Sequence, residues 1–123
     1  KQPVIIPNTP PKKLLNCLLY LCIMLVHVVM WKFKDFAEGA DRETNAKIMK
    51  AKLESLLGVV PQLKYVEVGV DFKHTEMSYD AVLITHFESQ EDLDAYKVHP
   101  AHVEISSFCK KIRESRTVVD YWK

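Results

Sequence analysis

Residues 95–105 read AYKVHPAHVEI, which sets a phenol, Tyr96, and two imidazoles, His99 and His102, around Pro100. An imidazole with a pKa of about 6.5 can take a proton and return it near neutral pH. A phenol within hydrogen-bond reach can polarise a carbonyl or hold the base in one tautomer. Together they suit proton abstraction beside a carbonyl, provided water is excluded. Two histidines at i and i+3 can also share an ion. A transition-metal site takes three or four ligands, however, and no His, Asp or Glu cluster joins these two, so no metal is expected. The remaining reading is structural. Proline is poor inside a helix and good in its first turn. Pro100 then ends one helix and opens another, from 100 to about 115, with His99 in the cap region and His102 in the first turn. The acid–base reading and the structural reading both stand at this point.

The elements that must position this segment follow from periodicity. LVHVVMWKFK (25–34) is β-branched and aromatic, which suits a pleated, half-buried surface. His27, Val29, Trp31 and Phe33 share one face of it, and Val26, Val28, Met30 and Lys32 share the other. Residues 41–60 read as a helix, with Asp41 at its start, Ile48, Leu53, Leu56 and Leu57 as its apolar face, and Gly58 at its end. KYVEVGVDF (64–72) alternates, and SYDAVLITHFE (78–88) is a strand joined to it through a polar hairpin that carries His74. Ala81, Leu83 and Phe87 share one face of that strand, and His86 lies on the other. Ser89 followed by Asp92 opens a helix that contains Leu93 and Tyr96. RTVVDYW (116–122) is a last strand.

The order β-α-β-β-α-β is the ferredoxin-like pattern, an α+β fold with a four-stranded antiparallel sheet. Such a sheet carries helices on one face only. The other face, with Val26, Val28, Met30, Val82 and Ile84, is also apolar and would lie in water in a lone domain. A patch of this kind marks an association surface, so a homodimer with two sheets face to face is expected. If the face with His27 and Trp31 looks toward the helices, it lines an apolar cleft fit for a small hydrophobic or aromatic ligand. A filled core is the alternative.

The totals narrow the function classes. In 123 residues, 17 Lys and Arg stand against 16 Asp and Glu, so no basic excess points to nucleic acid. The three glycines leave no glycine-rich phosphate loop. Cys17, Cys22 and Cys109 form neither a disulfide framework nor a zinc pattern, which suits a reducing, cytoplasmic setting. Cys109 falls in an apolar helical pattern as core filler. Residues 1–23 differ from the rest. Four prolines and Lys12–Lys13 precede an apolar run. They are expected to be an N-terminal extension to a domain at 24–123: a short packed helix, a start placed upstream of Met24, or a non-native segment. A membrane anchor or signal segment is the alternative.

Five stretches carry a family resemblance: HVVMWKFKD, VPQLKYVEVGVDF, YDAVLITHFES, LDAYKVHPAHVEI and VVDYW, with YKVHPAH the most specific. From about Met24 onward the chain resembles the stress-responsive α/β-barrel (Dabb) family of dimeric α+β barrels. The resemblance implies a ferredoxin-like protomer, a homodimer whose sheets form a barrel, and no cofactor. A plant branch of the family closes linear polyketides by an aldol-type reaction in a cleft between sheet and helices. Its acid–base pair falls on Tyr96 and His102, and its first-strand histidine falls on His27. Its third-strand histidine falls on Ala81, so one cleft imidazole is missing here. The expected site therefore has Tyr96 and His102 as its acid–base groups and His27, Trp31, Ala81, Leu83 and His99 around the ligand. Binding of a small apolar or aromatic molecule is favoured over cyclase- or lyase-like chemistry. A structural or stress-associated dimer without chemistry is the third reading.

Overall fold

A computed structural model describes residues 23–123; the expectations for residues 1–23 fall almost wholly outside them. The elements are β1 (Leu25–Phe33), β2 (Phe36–Ala37), β3 (Ala40–Asp41), α1 (Arg42–Glu54), β4 (Tyr65–Val70), β5 (Ala81–Phe87), α2 (Gln90–Val98), α3 (Pro100–Ile112) and β6 (Arg113–Trp122). The four long strands form one antiparallel sheet in the order β4-β5-β1-β6. This is the ferredoxin-like α+β fold.

Register decides which side chains meet. Strand β1 sets Val29 opposite Leu83 on one side and opposite Val118 on the other. Alternation then sends His27, Val29, Trp31 and Phe33 to the helix side with Ala81, Leu83, Thr85 and Phe87. All eight are buried. Helix α1 lies against β4 and α3, and α2 against β5 and α3. Phe33, Met49, Leu53, Leu83, Phe87, Ile105 and Ile112 join in the core between these layers.

Several boundaries differ from the sequence reading. Helix α1 stops at Glu54 rather than near residue 60. Ser55 caps it, donating from its N–H to Ala51 O and from its hydroxyl to Lys52 O at 2.6 Å. The chain then turns through Gly58, whose φ of 90° suits glycine. The buried stripe of α1 is accordingly Ala46, Met49 and Leu53, while Leu57 is exposed beyond the helix end. The β2–β3 hairpin was not foreseen. Glu38 and Gly39, both at positive φ, make its two-residue turn, and the buried Asn45 amide donates to Ala37 O and Ala40 O. Strand β6 starts at Arg113, three residues earlier than expected, because α3 ends at Ile112. Among the described residues no helix is long and apolar enough to cross a membrane.

Candidate functional site

Helix α3 does not cover β6. Arg116, Val118 and Asp120 lie on the helix side of the sheet yet are exposed. Beside them, between β1 and α3, is a cavity of about 50 Å³. That is room for roughly three to five water-sized groups. Its inner wall is apolar, built from Val29, Met49, Leu53, Leu83 and Ile105. Its polar groups are two imidazoles, an indole, a hydroxyl, a thiol and two guanidiniums.

His27 is buried on β1 opposite Asp120 of β6. Its Nδ1 lies 2.6 Å from Asp120 Oδ1. A carboxylate only accepts, so Nδ1 carries the proton and Nε2 keeps its lone pair. Burial holds the imidazole below its ordinary pKa, and the Asp120 hydrogen bond and charge pull the other way. His27 is thus a neutral, oriented base with a carboxylate ready to stabilise the imidazolium. Asp120 escaped the sequence reading. Its signal was there: in VVDYW it shares a face with Val118 and Trp122, a carboxylate placed by alternation on the helix side.

His102 reaches the same cavity from the first turn of α3. Its Nδ1 lies 3.1 Å from Lys97 O, a carbonyl that can only accept, so again Nε2 keeps the lone pair. Burial lowers its pKa; the Lys97 carbonyl raises it, and the nearby His27, Arg116 and Lys97 lower it. The break at Pro100 that places this ring is fixed by His99. The His99 Nδ1 accepts from Ala101 N–H at 3.1 Å, capping α3. His99 is therefore committed to the cap and is not part of the cavity wall.

Tyr96 is 0% exposed, its ring 5.0 Å from Phe87 and 4.4 Å from the His102 ring. Its hydroxyl has no partner among the described residues, and burial pushes its pKa well up, so it stays a phenol. It touches His102 but does not line the cavity. Of the other expected site residues, Trp31 and Leu83 line the cavity, whereas Ala81 borders a different hollow with Met30, Gly69 and Val82. His86 points away from the cleft and stacks on Tyr65 at 4.6 Å, as strand parity predicts. Cys109 is buried in the wall, its thiol pushed up to about 11 by burial, with Arg113 and Arg116 pulling it down. Such a thiol is no ready nucleophile at neutral pH. Among the described residues no three His, Cys, Asp or Glu side chains gather as metal ligands.

Comparison with known proteins establishes the family and the fold. The family model of the stress responsive A/B barrel domain matches residues 25–123. The chain belongs to this family. One relative is olivetolic acid cyclase of Cannabis sativa, 31% identical over 77% of this chain and 92% of that protein. Another is a stress-response A/B barrel domain-containing protein of Arabidopsis thaliana, 28% identical over 77% of this chain and 85% of that one. Among solved structures, a dimeric ferredoxin-like protein of unknown function from Bacteroides fragilis superposes with a TM-score of 0.70. It is 27% identical, and the match spans 80% of this chain and 94% of that one. The hydroxynitrile lyase of Passiflora edulis shares the fold, with a TM-score of 0.67 at 16% identity over 81% of this chain and 93% of that one.

Proposed function

We propose that this A/B barrel domain binds a small carbonyl compound in the cleft between β1 and α3 and moves a proton on it. The observation that carries the reading is the pair of imidazoles in one cavity wall, each with Nδ1 tied to an acceptor. His27 Nε2 takes a proton from the carbon beside the carbonyl. The C–H pair becomes a C=C bond as the C=O π pair moves onto oxygen, and the imidazolium returns a proton to carbon as the enolate oxygen re-forms the carbonyl. Asp120 steadies the charged ring. His102 is the second acid–base group, and Tyr96, packed on it, is a positioning residue. The relative that is named a cyclase, 31% identical, supports small-molecule chemistry. The volume of about 50 Å³ favours a short aliphatic ligand over the aromatic one suggested by the strand faces, since drug-sized pockets run to about 300–1,000 Å³. Deuterium exchange beside the carbonyl of butanone, levulinate and methyl levulinate, followed by proton NMR in D2O, tests this. His27→Ala should return exchange to the buffer rate, and His102→Ala should slow it more than His99→Ala. Absence of protein-promoted exchange with all three ketones would refute the reading.

We also infer that the chain works as a homodimer through the outer face of its sheet. Met30 and Val119 are 39% and 59% exposed there, with Val28, Val82 and Ile84 half-buried beside them. Such a patch on a lone protomer calls for a partner. The related Bacteroides fragilis protein, described as dimeric, supports this. Ile84→Lys should convert dimer to monomer or aggregate by light scattering. A variant that remains dimeric would remove the sheet face as the interface.

A further inference from the structure

Two arginines reach the cavity wall from one strand, although they stand three residues apart. Strict alternation would send Arg113 and Arg116 to opposite faces. The register of β1 with β6 prevents this. Trp31 pairs with Arg116 and Lys32 with Ser115, but Phe33 pairs with Arg113, so Glu114 is an extra residue at a bulge. A bulge re-aims side chains, and here it brings both guanidiniums to the face that carries His27 and Trp31. Among the described residues, neither arginine has a carboxylate within ion-pair distance. Asp120, on the same face of β6, is hydrogen-bonded to His27.

Trp31 adds an independent observation. It is 4% exposed, lines the same cavity, and its buried indole Nε1–H finds no acceptor among the described residues. A buried donor left unpaired carries a desolvation penalty that a ligand acceptor would relieve. Cross-strand pairing sets it beside Arg116. The inner wall, being apolar, offers nothing to an anion, so the charge of a ligand would sit at the β6 side and its carbon chain inside.

We propose that Arg116, Arg113 and the Trp31 indole form a carboxylate-reading site, so that the natural ligand is a short oxo acid. This rests on the proton-transfer reading for the carbonyl, but the recognition of the anion can be tested apart from it. Levulinate and methyl levulinate carry the same ketone and differ in the charge. The chain has two tryptophans, so the Trp31 indole N–H resonance is assigned by Trp31→Phe. Levulinate should shift that resonance in a saturable titration, and the methyl ester should not. Arg116→Gln should weaken levulinate binding roughly ten- to hundredfold, the scale of a lost charge-assisted hydrogen bond, with Arg116→Lys intermediate. Circular dichroism of each variant confirms that it is folded. Equal binding of acid and ester, or no binding of levulinate to the folded protein, would overturn the proposal. Saturable, Arg116-dependent binding without deuterium exchange would keep the carboxylate site and discard the base chemistry.

Discussion

The two edges of one sheet have opposite fates. At the β4 edge, Val66, Val68 and Val70 lie on the side that packs against α1, Val68 being 1% exposed and the other two half-buried. At the β6 edge the corresponding face carries Arg116, Val118 and Asp120 and stands open. Valines against a helix make a core, whereas charges at an uncovered edge make a mouth. A sheet only four strands wide thus has one packed edge and one open edge, and the proposed ligand site lies at the open one.

The sharpest way to break that contrast is to truncate one residue in each half. Phe87→Ala, on the closed side and packed on Tyr96, should cost about 3–5 kcal/mol by denaturant unfolding. Val118→Ala, exposed on the open side, should cost less than about 1 kcal/mol. Similar losses would mean that the β6 edge is as much core as the β4 edge.

Asp120→Asn probes the open side alone. It keeps the shape, removes the carboxylate that fixes His27, and should slow ketone exchange by about a hundredfold with little change in stability. Because the Asp120 hydrogen bond and charge raise the His27 pKa, their loss should also move the pH–rate profile toward acid. A purely structural role for Asp120 would leave that profile in place.

The smallest expected effect is on stability against pH. Burial lowers the pKa of His27 and His102 on the cleft side, and of His86 on the outer face. The unfolded chain therefore takes up these protons at higher pH than the folded one does. Stability is full above the unfolded value of about 6.5 and is lost as pH falls from there toward the lowered folded values. Thermal unfolding between pH 7 and 5 should show a falling midpoint, and His27→Gln with His102→Gln should flatten the slope more than His86→Gln. An unchanged slope in the double variant would show that the cleft histidines are protonated without cost.

Much of this architecture was legible in the chain. The period-two strands, the capping signals at Asp41 and Ser89, and Pro100 between two helices each arise from local chemistry, which is why the element order and the family follow from sequence. The helix end at Glu54 was less legible, since Ser55 capping and Gly58 compete with an apolar run that continues past them. Sequence also named His27, Trp31, Leu83 and His102, the four expected residues that share a cavity wall. Tertiary structure decided the rest. Only antiparallel pairing puts Asp120 on His27, 93 residues away. Only a bulge brings Arg113 to the side of Arg116. Only the seating of α3 spends His99 on a cap while turning His102 toward the sheet. Local propensity fixes which way a strand alternates, but register across the sheet fixes which charges meet, and no single strand contains that information.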